Sequence, residues 1–90
     1  TIVNNGVIVD HECSVGNFVH LAPGVVLCGR VTIGEQAFIG AGTTVKQNTN
    51  VARLATVGLG SVVVHDLIEE NKTYLGTPAK LKQNFPRGET

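Results

Sequence analysis

From Val3 an aliphatic residue recurs at every sixth position: Val3, Val9, Val15, Leu21, Leu27, Ile33, Ile39, Val45, Val51, Val57 and Val63. Two residues before each stands a small or β-branched residue, among them Val7, Cys13, Val19, Ala37, Thr43 and Ser61. Gly, Asn and Asp crowd the position after it (Asn4, Asp10, Gly16, Gly34, Gly40, Gly58), where a backbone that must turn favours them. The whole chain is only 42% hydrophobic, so eleven consecutive aliphatic hits report a repeating fold. A unit with one inward aliphatic, an inward small residue and a turn describes one side of a triangular prism. Three units make a coil of 18 residues, and successive coils stack as parallel strands about 4.8 Å apart.

By its period the pattern resembles the known hexapeptide β-helices, so the predicted fold is all-β, a left-handed parallel β-helix with a short C-terminal cap. The left hand is an exception to the usual right-handed crossover. The repeat is expected over residues 1–66, with cap and tail over 67–90. Asp66 to Lys72 reads as a turn or a single helical turn, Thr73 to Lys80 as a short strand and a turn at Thr77–Pro78, and Leu81 to Thr90 as an extended, partly disordered tail. A cap suits the end of a repeat array. Thr1 begins in mid-pattern, so the expectation is a fragment, or one domain, of a longer protein.

Residues 18 apart become vertical neighbours, so the outward faces can be written down. One carries Ile8, Val26, Thr44 and Val62; a second Ile2, His20, Phe38 and Thr56; the third Ser14, Thr32 and Asn50. Two faces partly apolar and one polar predict a homotrimer packed about the apolar faces. Ninety residues make a marginal lone domain, and two cysteines offer little help, so association is the expected staple. Cys13 reads as inward core filler, and Cys28 does not stack on it. Seven basic and seven acidic residues leave no electrostatic footprint for nucleic acid. No apolar run is long enough to span a membrane, and the residues from Thr1 do not read as a signal peptide. The expectation is a cytoplasmic protein.

Three features could carry chemistry. His11 and Glu12 sit at a corner in the run VDHEC, where a histidine beside a carboxylate can act as a general base. Gly29 lies one coil above on the same corner and could offer a main-chain N–H to an oxyanion. A second corner, Asn5, Pro23, Ala41 and Leu59, is flanked by glycines and nearly uncharged, which suits a thin uncharged group such as the pantetheine arm of coenzyme A. A metal is not expected. His11 and His65 would stand three coils apart, about 14 Å, whereas zinc holds its ligands at about 2 Å.

The run VDHECSVGNFVHLAPGVVLCGRVTIG, and above all the His11-to-His20 arrangement H-E-C-x-x-G-x-x-x-H, resembles bacterial sugar acetyltransferases of the sialic-acid O-acetyltransferase type. It looks especially like the UDP-4-amino-sugar and perosamine N-acetyltransferases, through GTPAK at Gly76 to Lys80. The resemblance implies His11 as catalytic base and Glu12 as the acidic neighbour that raises its basicity. It implies Gly29 as the donor near the thioester carbonyl, His20, Ala41 and Leu59 as acetyl-CoA contacts, and Asn4 as a residue near the sugar. It also implies an N-terminal domain that binds the nucleotide of the substrate, which is absent from these residues. The expected reaction moves an acetyl group from acetyl-CoA to an amino group of a nucleotide-linked sugar, at a subunit interface. The alternatives are a sugar O-acetyltransferase and a non-catalytic trimeric scaffold. An ice-binding scaffold would need a regular flat Thr array, which no face supplies.

Overall fold

The computed structural model describes residues 1–83. Eleven two-residue strands follow one another at six-residue intervals, from β1(Ile2–Val3), β2(Ile8–Val9) and β3(Ser14–Val15) to β10(Thr56–Val57) and β11(Val62–Val63). In each, the first residue faces outward and the second inward, as period-two side-chain alternation requires. They stack as three parallel sheets: β1, β4(His20–Leu21), β7(Phe38–Ile39) and β10; β2, β5(Val26–Leu27), β8(Thr44–Val45) and β11; and β3, β6(Thr32–Ile33) and β9(Asn50–Val51). Ile2 pairs with His20, Ile8 with Val26 and Ser14 with Thr32, the predicted offset of 18. The fold is the left-handed parallel β-helix expected from the hexads. Among the described residues no helix is long and apolar enough to cross a membrane.

The core is the inward column. Leu21, Leu27, Ile39, Val45, Val57 and Val63 are fully buried, with Val19, Val25, Val31 and Ala55 filling the small positions between them. Three buried hydroxyls interrupt the small column without an unpaired cost: Thr43 Oγ1 and Ser61 Oγ both donate to the Gly58 carbonyl at 3.1 and 2.7 Å, and Thr49 Oγ1 donates to the Gln47 carbonyl at 3.4 Å. In the first coil the same column is open: Val3 and Val9 are 57% and 45% exposed.

Each corner has a fixed conformation. Its second residue takes a left-handed φ near +60 to +76°, and its N–H donates to the first corner residue one coil before, as Arg30 does to the His11 carbonyl at 3.0 Å. One corner meets this with Gly6, Gly24, Gly42 and Gly60. The other two hold Glu12, Arg30 and Asn48, and Phe18, Gln36, Leu54 and Asn71, in the same region, at about 1–2 kcal/mol each for a non-glycine residue.

The hexads stop at Val63, and the stack then tightens. Leu67 bridges Val51, and β12(Thr73–Leu75) adds to β10 with Thr73 opposite Thr56, an offset of 17. The segment from Asp66 to Lys72 is bend and turn, without a helical turn. It is anchored by Tyr74, whose hydroxyl donates to the Glu69 carbonyl at 2.8 Å and accepts from the Glu69 N–H at 3.0 Å. Burial pushes the Tyr74 phenol above its ordinary value. After a turn through Thr77–Pro78, β13(Lys80–Gln83) pairs antiparallel with β12. The rest of the expected tail, 84–90, lies outside the described residues.

Candidate active site

His11 stands at the corner that follows β2. Asp10 directly precedes it, and one carboxylate oxygen, Oδ1, accepts both the His11 backbone N–H at 2.7 Å and Nδ1 at 2.9 Å. The double contact fixes the ring and makes Nδ1 the protonated nitrogen of the neutral imidazole, leaving the Nε2 lone pair free to take a proton. The hydrogen bond from the His11 side chain, followed by that from its backbone, lowers the Asp10 carboxyl below its ordinary value of 3.8.

Glu12 occupies the left-handed corner position and lies on the other side of the ring, with Oε1 3.8 Å from Nε2. The same oxygen is 3.5 Å from a terminal guanidinium nitrogen of Arg30, one coil later, and Arg30 Nε donates to Asn48 Oδ1 at 2.8 Å one coil later again. The carboxylate on Nδ1 is therefore Asp10, a residue that sequence reasoning had assigned to the turn. An Asp placed immediately before a corner histidine, able to turn back onto the next backbone N–H, was the available signal.

Gly29, in the next coil, packs against the His11 ring. It is buried, and a Cβ built on it would stand 2.8 Å from the His11 ring carbon Cε1 and 3.1 Å from Nε2. Glycine is thus required for the ring to rest there. The Gly29 N–H meets no acceptor among the described residues, as at the equivalent first corner positions Glu35, Ala41, Gln47 and Leu59, so it is available to a ligand.

The remaining predicted residues gather elsewhere. Asn4 Nδ2 donates to His20 Nε2 at 3.1 Å and lies the same distance from the Leu21 carbonyl oxygen, while the His20 ring tilts against Phe38 with centroids 4.8 Å apart. Ala41 and Leu59 lie one above the other on the all-glycine corner, exposed, and neither N–H has an acceptor among the described residues. A Cβ at Gly42 would meet nothing nearer than 4.0 Å and one at Gly60 nothing within 4 Å, so the strip beside them is open. Hence His11, Glu12 and Gly29 form one group; Asn4 and His20 form a second, and Ala41 and Leu59 lie in later coils along the corner that follows the same sheet. The face bearing Ile8, Val26, Thr44 and Val62 separates the first group from the others within one chain. Among the described residues no three His, Cys, Asp or Glu side chains converge as metal ligands would. Cys13 and Cys28 are free thiols, and the Cys13 thiol donates to the Cys28 carbonyl at 3.1 Å.

The chain is similar to known transferases. Residues 12–47 match the family described as bacterial transferase hexapeptide (six repeats). Over those residues the chain carries the hexapeptide repeat of that transferase family. The chain superposes on the acetyltransferase domain of PglB from Neisseria gonorrhoeae FA1090, solved in complex with acetyl coenzyme A. The match has a TM-score of 0.86 and 44% identity over 89% of this chain and 38% of that one. It superposes equally on a mutant of perosamine N-acetyltransferase from Caulobacter crescentus, in complex with CoA and GDP-perosamine. There the TM-score is 0.86 and the identity 39%, over 89% and 38% of the two chains. Serine acetyltransferase from Bacillus licheniformis is 36% identical over 84% of this hexapeptide-repeat chain and 38% of its own length. The chain thus spans less than two-fifths of the length of these relatives.

Proposed function

We propose that this chain is the acetyl-transfer module of an enzyme that moves an acetyl group from acetyl-CoA to an amino group on a nucleotide-linked sugar. The observation that carries the reading is the His11 imidazole, held by Asp10 at Nδ1, with the Nε2 lone pair turned away from that contact and Gly29 of the next coil against the ring. In this reaction the acceptor nitrogen attacks the thioester carbonyl while His11 Nε2 takes a proton from it. The unpartnered Gly29 N–H donates to the oxyanion as it develops. The intermediate collapses, the carbon–sulfur bond breaks, and the thiolate of coenzyme A receives the proton from His11. The relatives solved with acetyl coenzyme A, or with CoA and GDP-perosamine, support both substrates.

The cofactor fits the all-glycine corner. The Ala41 and Leu59 amides, one strand spacing apart, would hold the amide groups of pantetheine, and the absence of Cβ atoms lets the arm lie against the backbone. His20 and Asn4 border that corner, so the cofactor and the sugar meet near their mutual hydrogen bond. Because this corner and His11 are separated within one chain, the site is completed between subunits of a trimer that covers the exposed Ile2 and Ile8 faces. A domain before the β-helix would bind the nucleotide. Both substrates are cytoplasmic metabolites, and the reaction belongs in that compartment. Calorimetry with acetyl-CoA and thiol release in the presence of GDP-perosamine test the reading. Saturable binding with release of coenzyme A supports it, and no binding of acetyl-CoA at millimolar concentration would sink it.

A further inference from the structure

Resting on the reading of His11 as base, we infer that Glu12 is a specificity-determining residue that receives the acceptor as an ammonium ion, and that Arg30 is its positioning residue. The two carboxylates beside His11 have different places. Asp10 occupies Nδ1 and is committed there by two hydrogen bonds from His11. Glu12 stands on the Nε2 side, where the acceptor must come, and its side chain is 66% exposed. Its position is not left to chance. Glu12, Arg30 and Asn48 are the left-handed residues of one corner column, so their side chains leave the backbone in parallel, one coil apart. Asn48 grips Arg30 Nε at 2.8 Å, which turns the far end of the guanidinium to Glu12 at 3.5 Å. The pair holds a negative charge in reach of Nε2.

That charge is superfluous for a hydroxyl acceptor, which has one proton to lose, and His11 can take it. An alkylamine near neutral pH is largely protonated, and it has two protons to lose. His11 Nε2 removes the first, which frees the nitrogen lone pair. After the carbon–nitrogen bond forms, the second N–H proton passes to the Glu12 carboxylate and on to water. The carbon–sulfur bond breaks, and the His11 proton goes to the departing thiolate. The sum is an acetamide, coenzyme A thiol and one proton released to solvent. Glu12 thus supplies both the attraction for the ammonium and a second proton acceptor.

The test uses the full chain loaded with coenzyme A, which gives an unreactive complex, and two ligands measured by calorimetry. These are GDP-perosamine and the GDP-linked sugar with a hydroxyl in place of the amine. Glu12→Gln is expected to lower the preference for the amine over the hydroxyl ligand by about tenfold. Arg30→Ala should shift it in the same direction, and Arg30→Lys, which keeps the charge, should restore most of it; a merely structural loss would weaken both ligands alike. An unchanged ratio in Glu12→Gln, or equal weakening of both ligands, overturns the inference. Turnover of His11→Asn separates the two levels. If it keeps wild-type turnover, the base assignment falls. If it is inactive and the Glu12→Gln ratio is unchanged, only the role of Glu12 falls.

Discussion

The His11 imidazole rests directly on Gly29, one coil later, so closely that a methyl group at Gly29 would stand 2.8 Å from Cε1. An aliphatic ladder sets the stacking, a corner hydrogen bond sets the register, and a missing side chain leaves room for the ring. Gly29→Ala should therefore act on the ring rather than on the fold, because an exposed side chain can swing away where backbone could not. We expect kcat/KM to fall by one to two orders of magnitude (about 1.4 kcal/mol per tenfold) with a circular dichroism melt close to wild type. A Gly29→Ala chain with full turnover would show that the ring position is immaterial.

Asp10 should titrate below an ordinary carboxyl. Its shift is downward, so the contact with His11 is present above the ordinary value of 3.8 and is lost as pH falls through the lowered one. Carboxyl NMR should show the Asp10 midpoint below 3.8 in the wild type and rising toward it in His11→Ala. The same contact fixes the tautomer. Nitrogen NMR of the neutral His11 ring should show the proton on Nδ1, and Asp10→Asn should redistribute it between the two nitrogens and lower kcat/KM.

The core column sets a stability contrast. Leu27 is fully buried between coils, and Leu27→Ala should cost about 2–5 kcal/mol. Val9 occupies the equivalent inward position one coil earlier but is 45% exposed, so Val9→Ala should cost about 1 kcal/mol or less. Denaturant unfolding of the two variants distinguishes them, and equal losses would mean that the first coil is packed as tightly as the second.

Phe18 is 77% exposed and held at a φ of 59°. Phe18→Gly relieves left-handed strain of about 1–2 kcal/mol and gives back part of it as unfolded-chain entropy. The expected result in the isolated chain is a gain of about 0.5–1 kcal/mol in denaturant unfolding, whereas a loss would mean that Phe18 packs against something.

The regular part of this structure was legible because it is periodic. Val9, Leu27, Val45 and Val63 line one column at the offset read from the chain, and the three faces carry the residues assigned to them. The juxtaposition of His11 and Gly29 followed from the same arithmetic. What was missed obeys no period. Asp10 reaches Nδ1 through a side-chain rotation, which spacing does not encode, and the Arg30 bridge from Asn48 to Glu12 depends on the reach of a long side chain. The tightened coil that sets Thr73 opposite Thr56 comes after the last hexad, where turn geometry and Tyr74 packing take over from the repeat.

The central claim is that His11 Nε2 removes the acceptor proton, and its most direct measurement is the turnover of His11→Asn in the full chain. Asparagine keeps a hydrogen-bonding side chain of similar reach and cannot act as the base. With acetyl-CoA and an amino-sugar nucleotide, kcat should fall by about two to four orders of magnitude while acetyl-CoA binding by calorimetry is retained. A kcat within a few-fold of wild type would contradict the account.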